Sequence, residues 1–186
     1  SSADEKLMEG FAKQAGLAIQ NARMHAVMLK QKAIESELSV CSEIQLKLFP
    51  ESTPQIDGFE VFGSSQPCRE VGGDYYGWVK RPDNSWDIAI ADVSGKGLAA
   101  AMMVSELHTG FRMLSMMDLP LRETMRLLNT HLVETLITGK FISMFVARIY
   151  PDKDEITYVV AGHPPPMILG KDGTRRDMVR TGPLLG

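Results

Sequence analysis

Cysteine is nearly missing from this chain. Cys41 and Cys68 are the only two in 186 residues, too few and too far apart for a disulfide framework or a Cys-type zinc site. Two free thiols in a reducing, cytoplasmic setting are the expectation. Excess positive charge is missing too: a net charge of −3 leaves no electrostatic footprint for nucleic acid. No apolar run approaches the ~20 residues that a membrane-spanning helix needs, and the Ser-Ser-Ala-Asp-Glu-Lys opening does not read as a signal peptide. No membrane association is expected. What is present, 44% hydrophobic and 23% charged residues, is the balance of a globular chain with one main core and an appended element. Its twelve methionines fit a Met-rich core.

Proline does not occur before Pro50, and from Asp4 to Phe49 the chain is rich in Ala, Leu, Met, Gln, Glu and Lys. That composition predicts one or two long helices. Ala12, Ala15, Ile19, Ala22, Ala26, Leu29 and Ala33 recur at alternating three- and four-residue steps, a seam for close packing. The seam then slips near Gln31–Ile34 and continues through Ile34, Leu38, Cys41 and Leu48, with polar Gln45 at one seam position. A helix of about forty residues spans roughly 60 Å, longer than a small domain is wide. It needs a partner, most simply its own copy in a parallel homodimer. Pro50 ends it, which divides the chain into 1–49 and 50–186.

Beyond a loop at Glu51–Gly58, alternation predicts a strand over Phe59–Gly63. Pro82-Asp83-Asn84-Ser85 then reads as a turn joining strands Tyr75–Lys80 and Trp86–Ala91. That hairpin brings Asp74 and Asp92 towards one another. Trp86, Ile88 and Ile90 share a face with Asp92, so its carboxylate is expected level with the core, half-buried, and therefore paired or metal-bound. Lys96 is the nearest candidate for a pair. Two isolated aspartates beside glycines can equally be turn residues capping backbone N–H groups. As oxygen donors they could instead hold hard cations such as Mg²⁺ or Mn²⁺.

Ser94–Gly97 turns into a helix from Leu98 to about Ser115, with Leu98, Met102, Leu107, Phe111 and Leu114 as its expected core face. Pro120 opens another, Leu121 to about Thr138, with a stripe of Leu121, Met125, Leu128, Leu132 and Leu136. His131 on that helix reads as surface or core filler rather than a ligand. Strands Phe141–Tyr150 and Glu155–Ala161 are joined by Pro-Asp-Lys-Asp, and an irregular turn at Gly162–Pro166 precedes Met167-Ile-Leu and a hairpin at Lys171–Thr174.

Four segments, G-G-D-Y-Y, I-A-D-V-S-G-K-G-L-A-A-A-M-M, F-I-S-M-F-V-A-R-I-Y-P-D and Y-V-V-A-G-H-P-P-P-M-I-L, stand in the order in which a known family carries its signatures. From Glu43 to Gly186 the chain resembles the SpoIIE/RsbU branch of the PPM metal-dependent serine/threonine protein phosphatases. The resemblance implies an α+β fold, a β-sandwich of antiparallel sheets flanked by helices and preceded here by a long helical linker. It implies that Asp74 and Asp92 are catalytic carboxylates that ligate a two-metal Mn²⁺ or Mg²⁺ centre, with the Val93 carbonyl as a further ligand. The helix after Gly97 would belong to an activation switch, and His163 would be a structural part of its turn rather than a catalytic group. The segment F-A-K-Q-A-G-L-A-I-Q-N-A-R-M resembles the last helix of a GAF-type sensor, which implies a relay helix; the residues read equally well as a helix that folds onto its own domain, and its length favours the relay.

Departures from the pattern are informative. Gly77 stands where the family usually has Asp, removing a possible outer-shell carboxylate. Val93-Ser94 stand where eukaryotic-type relatives have a histidine proposed as general acid, so no leaving-group acid can be named. The chain reaches Gly186 before the family's later aspartate motifs, T-D-G-[VT]-x-E and D-D. The function implied is hydrolysis of a phosphoserine or phosphothreonine on a STAS-type anti-anti-sigma partner in a bacterial partner-switching pathway. The alternative is a non-catalytic dimerisation and signalling module on a decayed phosphatase fold. Two aspartates and a carbonyl leave most of a dication's shell to water. Residues 1–186 alone are therefore expected to bind Mn²⁺ weakly, and tight stoichiometric binding by calorimetry would contradict this.

Overall fold

The computed structural model describes residues 2–66, 70–153 and 155–186. Cys68, at the head of the glycine-rich stretch, lies outside the described residues, as does Asp154 in the turn expected at Pro-Asp-Lys-Asp. Cys41 is a free thiol, partly buried. The chain divides into two compact units, Ser1–Val40 and Cys41–Gly186.

The first unit is helical throughout its described length. It belongs to α1, a single 45-residue helix, Ser2–Leu46, as the proline-free composition requires. Phe11, Ile19 and Leu29 on it are exposed, and among the described residues of this unit no side chain is buried. Among the described residues, no helix is long and apolar enough to cross a membrane.

The second unit is built on a four-stranded antiparallel sheet in the order β1-β2-β3-β4: β1 Asp74–Lys80, β2 Trp86–Val93, β3 Ile142–Tyr150 and β4 Glu155–Ala161. A short 3₁₀ turn at Pro151–Lys153 lies between β3 and β4. A separate two-stranded ribbon pairs β5 (Met167–Leu169) with β6 (Arg175–Asp177). Between β2 and β3 the chain forms α2 (Leu98–Ser115) and α3 (Leu121–Thr135), which pack on one face of the sheet. The α+β class, with antiparallel sheets and flanking helices, is as expected. The segment 59–63 differs: among the described residues its one bridge is Ile56 to Phe59, and no described strand lies beside it to supply hydrogen-bond partners.

The core lies between sheet and helices, with Val93, Ile142, Met144 and Val146 against Val104, Leu107, Phe111, Leu128 and Leu132. On β2 the residues turned to this core are Asp87, Ala89, Ala91 and Val93. The expected phase is therefore inverted: Trp86, Ile88, Ile90 and Asp92 do share a face, but it is the face opposite α2 and α3, and Ile90 is 48% exposed. The small alanines let α2 lie close, and its contact side runs through Ala100, Met103, Val104, Leu107 and Phe111, while Leu98 and Met102 point outward. Methionine likewise divides: Met103, Met125 and Met144 are core, but Met113, Met116 and Met117 are exposed.

A buried aspartate on the core face is tolerable only if its charge is met. Arg148 on β3 forks onto Asp87, Nε to Oδ1 at 2.7 Å and an Nη to Oδ2 at 2.9 Å, and Arg81 approaches at 3.6 Å. Both guanidiniums also donate to carbonyls of the α2–α3 connection, Arg148 to Leu119 at 2.6 Å and Arg81 to Ser115 at 2.6 Å. Burial acts to lower the Arg148 pKa, but Asp87 and, after it, Tyr150 together outweigh burial and the shift is upward. The cluster thus ties the far end of the sheet to the helical layer. Arg148→Met, which leaves buried Asp87 only the longer contact to Arg81, is expected to cost up to about 3–5 kcal/mol in urea unfolding.

Candidate metal centre

The β1–β2 hairpin turns where it was expected to. The Arg81 N–H donates to the Ser85 carbonyl at 2.8 Å, and Asn84 adopts a left-handed backbone (φ 65°) inside the turn. Its register makes Asp74 and Asp92 direct Cα partners. Opposite residues of an antiparallel pair project to the same face, so the two carboxylates stand side by side. They border a cavity of about 270 Å³ together with Ser64, Ser65, Gln66, Tyr76, Ile90 and His163. Both aspartates are exposed rather than half-buried. Even so, partial burial raises the Asp92 pKa, the Asp74 charge adds to that, and His163 acts in the opposite direction.

Two glycines lead into Asp74. The Val93 N–H donates to the Gly73 carbonyl at 3.0 Å, and the Val93 carbonyl comes so near Gly73 that a Cβ there would lie 2.7 Å from it. Residue 73 must therefore be glycine for this carbonyl to sit beside the carboxylates' strand ends. Beyond Val93, the loop is fastened by Ser94, whose N–H donates to the Phe141 carbonyl at 2.9 Å while its Oγ accepts from the Phe141 N–H at 3.0 Å. Gly95 and Gly97 take positive φ values of 109° and 72°, which turn the chain into α2. Among the described residues Lys96 makes no ion pair, so the expected partner for Asp92 is not there.

Among the described residues, no three acidic, histidine or cysteine side chains come together as a metal-holding group. Two adjacent carboxylates and a nearby carbonyl nevertheless form an all-oxygen donor set suited to a hard dication, and a cation would relieve their mutual repulsion. The residues present fit such an ion at one side of a centre.

Some of the surroundings were not legible beforehand. His163 sits in the cavity wall, with Nδ1 2.9 Å from the Ser143 Oγ, and Ser143 is the register partner of Asp92 on β3. Burial lowers the His163 pKa, opposed by Asp92, by its hydrogen bonding at Ser143 and by Asp74. His131 lies elsewhere, its Nε2 2.5 Å from Glu106 across α2 and α3. Gln45, read only as a polar residue in a seam, is 6% exposed and bonds Gly72 through both of its amide atoms. Gly77 is also recast. It lies on the buried face of β1 with Tyr75 and Val79, opposite to Asp74, and a Cβ there would meet the Tyr75 hydroxyl at 2.4 Å. A carboxylate at 77 would not have faced the Asp74–Asp92 cavity, so its loss is no reason for weaker metal binding.

The fold is that of PP2C-type phosphatase domains: the SiaA-PP2C domain of Pseudomonas aeruginosa superposes with a TM-score of 0.66 at 15% identity, over 84% of this chain and 64% of that one. The RsbU and RsbW domains of Rv1364c from Mycobacterium tuberculosis give a TM-score of 0.58 at 27% identity, over 64% of this chain and 33% of that one. The profile of the family described as Stage II sporulation protein E (SpoIIE) matches residues 82–186, and the chain belongs to that family. Its relatives include the phosphoserine phosphatases RsbU and RsbP of Bacillus subtilis (strain 168). RsbU is 33% identical over 84% of this chain and 47% of its own length; RsbP is 27% identical over 81% and 38%. The chain spans about half the length, or less, of these curated relatives.

The raised pKa of Asp92 has a consequence for stability. An acid whose pKa rises on folding costs stability as pH climbs from the unfolded pKa through the folded one. In EDTA at neutral pH, Asp92→Asn is expected to melt slightly above the wild type, and the difference should vanish at acid pH where the wild-type carboxyl is already protonated. Thermal denaturation at both pH values checks it.

Proposed function

We propose that the protein carrying this chain is a Mn²⁺- or Mg²⁺-dependent phosphoserine/phosphothreonine protein phosphatase of a bacterial partner-switching pathway, acting on a phosphorylated STAS-type anti-anti-sigma protein. The observation that carries this reading is the pairing of Asp74 with Asp92 across the hairpin, beside a cavity in a PP2C-type fold. The likeness to the phosphoserine phosphatases RsbU and RsbP supports the reaction class, and the presence of RsbU and RsbW domains in Rv1364c supports a partner-switching setting.

In this reading Asp74, Asp92 and the Val93 carbonyl hold the metal, with further ligands from water and from residues outside 1–186. Bound dications supply Lewis acidity and a water nucleophile at neutral pH. The chain's own residues do the placing. Gly73 lets the Val93 carbonyl approach, Ser94 fastens the loop, and the cavity wall of Ser64, Ser65, Gln66 and His163 bounds the space for a phosphoryl group. Residues 50–186 form the phosphatase part, and 1–49 the sensor-end and linker helix. That helix acts as a cytoplasmic relay and pairs with its copy in a homodimer, which would cover Phe11, Ile19 and Leu29. The non-catalytic alternative loses one of its supports, since Gly77 is accounted for by Tyr75.

The test is phosphate release from a phosphoserine-bearing STAS protein by the full-length enzyme. Release is expected to need Mn²⁺ or Mg²⁺ and to fall at least ~100-fold in Asp74→Asn and in Asp92→Asn. Turnover that persists in EDTA would overturn the reading.

A further inference from the structure

Gln45 belongs to the last turn of α1, within the second compact unit, and is buried at 6% exposure. Its Nε2 donates to the Gly72 carbonyl at 2.7 Å, and the Gly72 N–H donates back to its Oε1 at 2.9 Å. A primary amide used in this way imitates a neighbouring strand, offering one residue both a donor and an acceptor. Gly72 needs that substitute because β1 begins only at Asp74. The next residue is held from the other side, where the Gly73 carbonyl accepts from the Val93 N–H at 3.0 Å.

Neither Gly72 nor Gly73 has a side chain to anchor it, so between the buried side chain of Val71 and Asp74 the chain is held by three hydrogen bonds. Two of those three bonds come from one side chain of α1. The helix end is itself pinned: the Leu48 N–H closes on the Gln45 carbonyl at 2.9 Å, and the Phe49 ring lies 5.1 Å from that of Tyr76 and 6.4 Å from that of Tyr75.

We infer that Gln45 is a positioning residue for Asp74, through which the last turn of α1 sets the metal affinity of the site. The inference rests on the metal-centre reading above. A turn of helix that carries Gln45 away from Gly72 releases that glycine and leaves the approach to Asp74 held only through Gly73 and Val93, which loosens the carboxylate's place opposite Asp92. Groups that orient a ligand from behind typically govern affinity by about ten- to a hundredfold.

The experiment measures Mn²⁺ affinity by calorimetry and urea stability in the full-length protein, for wild type, Gln45→Leu, Gln45→Glu and a core control, Leu132→Val. Gln45→Leu is expected to weaken Mn²⁺ binding about ten- to a hundredfold. Gln45→Glu, which keeps the acceptor and loses the donor, should fall between. Leu132→Val should lower the urea midpoint and leave Mn²⁺ affinity unchanged. In an Asp74→Asn background the Gln45→Leu change should add nothing further, as coupled residues require. Affinity that tracks stability across all variants, or a Gln45→Leu effect that persists in Asp74→Asn, would overturn the inference. Should Gln45→Leu fail to fold, Gln45→Glu decides by the same criteria. A wild type that binds no Mn²⁺ removes the metal-centre reading and this one with it. A wild type that binds, with Gln45 variants that bind equally well, removes only this one.

Discussion

Two like charges placed directly opposite each other across a β-ladder are an energetic liability, and the structure is arranged around it. Asp74 and Asp92 gain nothing from one another, and the upward shift of the Asp92 pKa records their repulsion along with partial burial. A pair of this kind persists only where the rest of the fold over-determines its position. Here the determination is mostly backbone. Gly73 is clasped by Val93, Gly72 by Gln45, and the loop after Val93 is bonded to Phe141 on both sides of Ser94. Among the described residues no ion pair meets either carboxylate.

The helical layer supplies the rigidity that this arrangement needs. Ala89, Ala91 and Ala100 keep α2 close to β2, and Leu107, Phe111, Leu128 and Leu132 are fully enclosed. At the far end Arg81 and Arg148 join Asp87 to the carbonyls of Ser115 and Leu119. One end of β2 is thus a satisfied, buried ion cluster, and the other is an open pair of anions.

Much of this was readable from residue order alone. The hairpins, the bounds of α2 and the proline that stops α1 follow from local signals, turn residues and periodicity, while the architecture of antiparallel sheets with flanking helices was implied by the family resemblance. What local signals could not give was the face of β2 that is buried. Trp86, Ile88 and Ile90 outweigh Ala89 and Ala91 in hydrophobicity, so a reading by side chain puts them inward. The actual choice is decided by Asp87, whose partner Arg148 is 61 residues away, and by the closeness of α2, which only small residues allow. Gln45 escaped for the same reason, since its partner is 27 residues further along. Gly77, which looked like a lost carboxylate, is explained by the ring of Tyr75, two residues before it on the same face.

The parity of β2 carries one more implication. Asp87 and Asp92 are an odd number of positions apart, so they occupy opposite faces of the strand. If β2 slipped by a single step against its neighbours, Asp87 would leave Arg148 and Asp92 would be driven beneath α2 without any counter-charge. Every slip by an odd number of residues therefore strands an anion in the core, and the two aspartates act together against such misalignment.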